Sequence, residues 1–222
     1  MTNQSARPFI VWFRDDLRLS DHPALHTAAR TGAPVICLYV FDEPDRPLGG
    51  AARWWLAQSL RALQASLRAI GSSLTLRRGP AGEVVAALAQ ETGARAVHWN
   101  AIAQAPYQAQ ADQVAASLEA IGIASQGFAG DLLVTPVQIR NKEGRGLRVF
   151  TPFWKRVQAL GDPPKPLPAP TALSKDLDSA PTVASDRLED WKLEPSRPDW
   201  AGGLRARWSP GETSAQARLG VE

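Results

Sequence analysis

Two continuous apolar segments near the start of the chain restrict its fold more than any other feature. They read PFIVWFR at residues 8–14 and PVICLYVF at residues 34–41, and both are rich in aromatic and β-branched residues. A strand with one solvated face alternates apolar and polar residues, whereas a strand covered on both faces is apolar throughout. The two segments therefore predict buried parallel strands with helices on both sides of the sheet.

Helix-type and strand-type patterns alternate over the first 130 residues. The segment DHPALHTAARTG predicts a short helix with Asp21 as its N-cap and Gly32 as its C-cap. Further helices are predicted at 51–71, 80–93 and 110–122, and further strands at 73–79, 94–100 and 123–130. Five strands that alternate with helices require right-handed crossovers. We therefore predict an α/β fold, a doubly wound and mostly parallel five-stranded sheet of the Rossmann-like type.

The pattern changes after residue 131. A Gly-rich turn from Asn141 to Gly146 predicts a hairpin or an ordered loop, a short helix is expected from Pro152, and GDPPKPLPAP predicts an extended connector. The following polar stretch is expected to lie over a surface, anchored by Trp191, Trp200 and Trp208. Ser209, Pro210 and Glu212 form a predicted capping box that opens a new helix. The expected domains are an α/β domain at 1–135, its end at 136–162, a Pro-rich interdomain linker at 163–208, and the start of a helical domain at 209–222.

Composition excludes several classes of protein. The chain has 25 Lys and Arg against 22 Asp and Glu, and a net charge of +3 is too small to indicate nucleic-acid binding by itself. The single cysteine, Cys37, lies among apolar residues, so we expect a core position and neither a disulfide nor a thiolate metal site. No segment has the length of a membrane span or of a signal peptide. We expect a cytoplasmic protein with no membrane partner.

Charged residues follow the predicted strands. FRDDLR follows the first strand, FDEPDRP the second, RRGPAGE the third and WNAIAQAPYQ the fourth. In doubly wound sheets ligands bind beyond the carboxyl ends of the strands, so these segments predict a ligand crevice. The alternative is that Arg14, Asp15, Asp16 and Arg18 form surface ion pairs that cap the next helix. No arrangement of side chains identifies a catalytic centre or a metal site.

Several segments together resemble the DNA photolyase and cryptochrome family, in its class I photolyase-like branch. VWFRDDLRLSDHPAL at 11–25 is similar to the opening signature of the family, with His22 where the family usually has Asn. RVFTPFWK at 148–155 is a near match to another family segment, and WSPGETSA at 208–215 resembles the segment that opens the flavin-binding domain. The resemblance extends over almost the whole chain in the family's order.

The resemblance implies a function. Family members use FAD, held in a C-terminal helical domain, for blue-light-driven repair of cyclobutane pyrimidine dimers in DNA. Their N-terminal α/β domain binds an antenna chromophore. The resemblance implies that this chain is the light-harvesting domain of a deoxyribodipyrimidine photolyase, a monomer that contacts UV-damaged DNA only through the full-length protein. The chain itself is expected to lack the FAD domain and any catalytic residue. The alternatives are a cryptochrome-type photoreceptor fragment and a stand-alone nucleotide-binding module, so whether the protein is an enzyme stays open.

The resemblance also implies an antenna site. Arg14, Asp42 and Arg53 match positions that contact the chromophore in deazaflavin-type members, and Asn100 and Tyr107 complete the expected set. Arg53 has a surface ion pair as its alternative role. Folate-type members have an acidic residue where this chain has Tyr107 and Gln108. A deazaflavin or flavin is therefore favoured over a folate, and loss of any antenna is the remaining alternative.

Overall fold

A five-stranded parallel sheet forms the centre of the computed structural model, which describes residues 7–43, 48–173 and 183–220. The strands lie in the order β3-β2-β1-β4-β5, and every pair of neighbours is parallel. The strands are β1 (Phe9–Phe13), β2 (Val35–Phe41), β3 (Leu74–Arg78), β4 (Ala96–Ala101) and β5 (Ala124–Ala129). The helices are α1 (Pro23–Arg30), α2 (Gly50–Ala69), α3 (Ala81–Glu91), α4 (Ala105–Ala120), α5 (Phe150–Gln158), α6 (Gly202–Arg207) and α7 (Glu212–Leu219).

Helices cover both faces of the sheet, as the apolar strands predict. Alternate β1 residues point to opposite faces, so that Val11 packs with α1 and α2 whereas Trp12 packs with α3 and α4. Cys37 lies in the first of these two cores and is fully buried. The predicted doubly wound α/β fold is confirmed. No helix in the described ranges is long and apolar enough to cross a membrane.

The strand order fixes where a ligand can bind. The chain moves from β1 outward to β2 and β3, and then crosses back to place β4 on the other side of β1. The helices that follow β1 and β4 therefore lie on opposite faces, and a crevice opens between the loops at the carboxyl ends of these two strands.

Three predicted helix starts are wrong. His22, not Asp21, caps α1, because its Nδ1 accepts a hydrogen bond from the Leu25 N–H, while Asp21 is hydrogen-bonded to Leu167. Helix α4 begins at Ala105 rather than at residue 110, since Pro106 is well accommodated in a first helical turn. The last helix, α7, has Gly211 as its N-cap instead of Ser209.

Two further expectations after residue 131 are refined by the structure. The turn at 141–146 is an ordered loop with a single antiparallel bridge between Arg140 and Gly146. Helix α5 begins at Phe150, two residues before Pro152, and contributes no buried residue. Its apolar side chains Phe150 and Trp154 are stacked on each other and exposed.

The polar stretch near the C-terminus is attached to the sheet. Residues 185 and 186 hydrogen-bond to Leu76 on the edge strand β3, which covers part of an otherwise open edge. Trp191 follows in a short 3-10 helix, Leu188–Trp191, and is 5% exposed, with its ring stacked 5.3 Å from that of Phe41. Trp191 is thus a core residue, whereas Trp200 and Trp208 are about half exposed.

The first prediction compares two tryptophans. Trp191→Ala removes a buried indole and should lower the free energy of unfolding by about 3–5 kcal/mol. Trp154→Ala is the control, because Trp154 is 47% exposed and its loss should cost less than about 1 kcal/mol. Urea denaturation of both variants measures the difference. Equal midpoints for the two variants would contradict the core position of Trp191.

Candidate functional site

A cleft of about 1060 Å³ opens at the carboxyl ends of β1 and β2. The β1–α1 loop, the end of β2, and helices α2 and α4 form its walls, and α7 covers one side. Its aromatic lining consists of Trp12, Phe13, Tyr39, Phe41, Trp55 and Tyr107. A crevice of this size with flat apolar walls and a few polar groups is typical of a site for an organic ligand.

A second cavity of about 760 Å³ lies on the other side of the β1–α1 loop, beside β4 and β5. Asp15, Asp16 and Arg18 line both spaces. The guanidinium of Arg18 is bound by the carbonyls of Ser20, Asp21 and Gly130. We regard the larger cleft as the site because the aromatic side chains lie there.

Arg14 is the central polar residue of the cleft. Its guanidinium carbon lies 4.6 Å from the centroid of the Trp12 ring, and its Nη2 donates to the carbonyl of Tyr107 (2.7 Å) and to Gln110 Oε1 (2.8 Å). The residue is 5% exposed. Burial lowers the pKa of Arg14, and the carboxylates of Asp16 and Asp15 partly oppose that shift. Its Nε and Nη1 have no hydrogen-bond partner among the described residues, so two buried donors are left unsatisfied.

Asp16 holds the loop that carries Arg14. Its Oδ1 accepts from the Arg14 backbone N–H (2.9 Å), and its Oδ2 accepts from Asn100 Nδ2 (2.7 Å) and lies 3.0 Å from His22 Nε2. Because His22 Nδ1 accepts from Leu25, the proton of a neutral His22 ring must be on Nε2, facing Asp16. Burial alone would raise the pKa of Asp16, but the contacts with His22, Arg14 and Asn100 together lower it.

Gln110 connects the two sides of the cleft. Its Oε1 accepts from Arg14, and its Nε2 donates to Asp42 Oδ2 (2.9 Å) at the end of β2. The same Asp42 oxygen accepts from the backbone N–H of Ala81 at the start of α3 (3.0 Å). A glutamine suits this position because its amide presents an acceptor to the cation and a donor to the carboxylate.

Tyr107 lies on the first turn of α4, above the guanidinium of Arg14. The guanidinium carbon is 5.3 Å from the centroid of the Tyr107 ring. A hydrogen bond to the carboxylate of Asp15, together with burial, raises the pKa of Tyr107 to about 12. Tyr107 therefore stays a neutral phenol at physiological pH and offers a flat face to the cleft.

Helix α7 is fastened to the β1–α1 loop by one carboxylate. Glu212 accepts from the backbone N–H groups of Leu19 (2.7 Å) and Ser20 (2.9 Å), and from the Ser20 hydroxyl. Gly211 approaches α2 so closely that an added Cβ would lie 2.5 Å from the Cβ of Ala62. Its φ of +119° also belongs to a backbone region that favours glycine. The position of α7 beside the cleft is therefore restricted by the hydrogen bonds of Glu212 and by the close approach of Gly211 to α2.

The structure brings together four of the five residues expected at the antenna site. Arg14, Asp42 and Tyr107 line the cleft, and Asn100 is fully buried behind it, bound to Asp16. Arg53 is not in the cleft lining; it lies on the rim with its Nη2 3.0 Å from Glu43 Oε1. The roles of the five residues in binding a chromophore stay predictions.

Sequence reasoning missed Gln110 and Glu212 as parts of the site. A helix that begins at residue 110 would leave Tyr107 outside it. In the structure both residues belong to α4, and Gln110 lies three residues after Tyr107 on the same face of the helix. An earlier start, as indicated by Pro106, would have revealed it. No local pattern reveals Glu212, because its contact with Leu19 spans 193 residues. The alternative of surface ion pairs also fails for Arg14 and Asp16, which are both buried.

The fold defines an α/β protein with an aromatic cleft at the carboxyl edge of its parallel sheet, and comparison with known proteins supplies the family. The family model described as DNA photolyase matches residues 9–171. The deoxyribodipyrimidine photo-lyase of Agrobacterium fabrum is 41% identical over 218 residues, covering 96% of this chain and 44% of that protein. Cryptochrome-1 of Arabidopsis thaliana is 35% identical and covers 95% of this chain and 31% of that protein. The chain belongs to the DNA photolyase family and spans less than half the length of these relatives.

A solved structure agrees with this assignment. A bacterial class III photolyase from Agrobacterium tumefaciens superimposes with a TM-score of 0.89 at 40% identity, covering 97% of this chain and 44% of that one. The predicted family and fold are confirmed. That photolyase is described as class III, whereas the sequence motifs of this chain resemble the class I-like branch.

The second prediction concerns Asp16. Asp16→Asn keeps the shape of the side chain but removes its charge, and should destabilise the folded chain by about 1–3 kcal/mol near neutral pH. Because the pKa of Asp16 is lowered in the folded state, this contribution is complete above the ordinary value of 3.8 and is lost as the pH falls through the folded-state pKa.

Urea unfolding of wild type and variant at about pH 7 and about pH 3 measures this change. Asp112→Asn, at an exposed position on α4, is the control. A stability difference between wild type and Asp16→Asn that stays constant over this range would contradict the assigned role.

Proposed function

We propose that this chain is the light-harvesting, chromophore-binding domain of a photolyase-type flavoprotein. The observation that carries the proposal is the aromatic cleft at the sheet edge, beside the buried Arg14, two of whose donors have no partner among the described residues. Membership of the DNA photolyase family supports it. A stand-alone nucleotide-binding module would share the architecture, but nothing in the cleft favours it.

The lining fits a flat heteroaromatic ring. Trp12, Trp55 and Tyr107 provide planar apolar contact, and Arg14 and Asp42 provide a donor and an acceptor for polar ring atoms. Asn100 acts indirectly, since it positions Asp16 and hence the Arg14 loop. A deazaflavin or flavin is the proposed class of chromophore, because Tyr107 and Gln108 stand where folate-type members have an acidic residue. Bound in the cleft, the chromophore would absorb light and pass the excitation to FAD elsewhere in the full-length protein.

The cofactor, the DNA partner and the domain organisation of the full-length protein are also part of the proposal. A helical domain would hold FAD and contact UV-damaged DNA, and the protein would be a cytoplasmic monomer. The proposed boundaries are 1–135 and 136–162 for the α/β domain, 163–208 for the linker and 209–222 for the start of the helical domain. Exposed apolar side chains near α5 support a domain interface there, because Val149, Phe150 and Trp154 have no cover within the described residues.

The third prediction tests chromophore binding. The purified chain, incubated in turn with a deazaflavin, FMN and a reduced folate and then desalted, should retain one chromophore near one-to-one. Absorption between about 300 and 500 nm measures this retention. Retention of none of them by a folded chain would refute the proposed function.

Substitution of two alanines on α4 tests whether the chromophore binds in the cleft. Ala109 lines the cleft, so Ala109→Trp should obstruct it and weaken binding by about tenfold or more. Ala116 is also exposed, two helical turns further on, and lies outside the cleft lining, so Ala116→Trp should bind like wild type. Equal loss in the two variants would place the chromophore elsewhere.

The fourth prediction tests Arg53. Arg53 and Arg61 both lie on α2 and both form surface ion pairs, with Glu43 and Glu194 respectively. If Arg53 faces the chromophore, Arg53→Ala should weaken binding several-fold, by about 1 kcal/mol, with little change in melting temperature. Arg61→Ala should change neither quantity. Equal affinities for Arg53→Ala and wild type would remove Arg53 from the site.

A further inference from the structure

We propose that Glu212 is a positioning residue for the chromophore site, an inference that rests on the proposed function. Its carboxylate fastens α7 to the β1–α1 loop, and α7 in turn closes one side of the cleft. Ligand binding and the docking of α7 therefore stabilise each other. The ligand holds α7 in place, and Glu212 raises the affinity of the cleft by keeping its wall docked.

Helix α7 depends on this fastening because it has little else to hold it. It is eight residues long, Glu212–Leu219, and contributes no buried side chain. An isolated helix of this length is unstable in water, so α7 needs contacts with the rest of the protein. Its position is therefore set by a small number of contacts.

The polar contacts of α7 converge on two residues of the β1–α1 loop. Glu212 accepts from the backbone N–H groups of Leu19 and Ser20 and from the Ser20 hydroxyl. One turn later, Gln216 Nε2 donates to Ser20 Oγ (3.1 Å) and to Glu212 Oε1 (3.3 Å). Within the described ranges, no side chain of α7 forms a hydrogen bond with any other part of the chain.

Glu212 is held by neutral donors. No described residue forms an ion pair with it. The cleft lining contains two arginines and four other carboxylates, which are those of Asp15, Asp16, Asp42 and Glu43. A partly buried carboxylate in such surroundings depends on its hydrogen bonds to remain in place. Its loss would also leave the N–H of Leu19, a residue that is only 6% exposed, without its acceptor.

The same helix supplies part of the cleft. Gly211, Glu212 and Ala215 belong to the cleft lining. Trp208, which precedes α7, packs edge-on against Trp55 with ring centroids 5.8 Å apart, and Trp55 also lines the cleft. If α7 leaves the loop, the cleft loses this wall and becomes more open to water. A ligand in the cleft therefore binds the docked form more tightly than the undocked form.

Thermodynamic linkage couples the two events. A ligand that prefers the docked form raises the population of that form, and a substitution that lowers this population weakens the apparent affinity in proportion. A fastening with a purely structural role would behave differently, because the docking of α7 would then be independent of the ligand.

Hydrogen exchange of individual amides in the wild-type chain measures this coupling. The probe is whichever of a deazaflavin, FMN and a reduced folate the desalted chain retains. A saturating amount of the probe should slow exchange of the Leu19 and Ser20 N–H groups and of the α7 amides by about fivefold or more. The amides of α5, which lies outside the cleft lining, should be unaffected.

Glu212→Gln tests the role of the carboxylate. The change keeps the size of the side chain but replaces one acceptor oxygen by an amide donor, which faces other donors. It should weaken binding of the probe by about fivefold and speed exchange of the Leu19 and Ser20 N–H groups in the absence of the probe. Glu83→Gln is the control, because it makes the same change in the first turn of α3 at an exposed position outside the cleft lining. It should alter neither quantity.

The outcomes separate this inference from the proposed function. Binding of the probe without slower exchange in α7, or equal affinities for Glu212→Gln and wild type, would overturn the coupling and leave the chromophore site in place. Retention of no chromophore by the folded wild-type chain would overturn both. Because the exchange experiment uses the wild-type chain, it decides the question even if Glu212→Gln fails to fold.

Discussion

The buried carboxylate of Asp16 is the interaction on which the rest of the site depends. It accepts from the Arg14 backbone, from Asn100 on β4 and faces His22 at the start of α1, so one side chain joins β1, β4 and α1. A buried charge is costly unless its lone pairs are satisfied, and here three partners stabilise the ionised form. The β1–α1 loop is therefore fixed by its own charged group rather than by glycines.

This fixed loop determines what the neighbouring residues can do. With its backbone held, Arg14 extends between Trp12 and Tyr107 and reaches Gln110, which in turn holds Asp42. The same loop offers the N–H groups of Leu19 and Ser20 to Glu212, so α7 is placed against the cleft by the strand–helix turn that Asp16 stabilises. Helix α7 lies beyond the residues that match the family model, and yet it forms one wall of the cleft.

The fold was predictable because its determinants are local. The apolar runs of β1 and β2 and the capping glycines at residues 32, 71, 93 and 122 defined four helices and the sheet, and these glycines indeed have positive φ. The site was only partly predictable. Residues at strand ends, such as Arg14 and Asp42, could be placed at the sheet edge, but their hydrogen-bond partners come from distant segments. The contact of Glu212 with Leu19 depends on the folded chain, and no periodicity in the sequence reports it.

The backbone donors at the starts of α1 and α3 are bound differently from those of dinucleotide-binding proteins with a similar strand order. The strand order seen here also supports dinucleotide binding, for which a glycine-rich first turn leaves backbone N–H groups open to a phosphate. In this chain the equivalent turn is rich in charged side chains, and Asp42, His22, Asn100 and Glu212 occupy the donors instead. The crevice is present, and these donors at α1 and α3 are bound to groups of the protein itself. The lining that remains is largely aromatic, with the buried Arg14 beneath it.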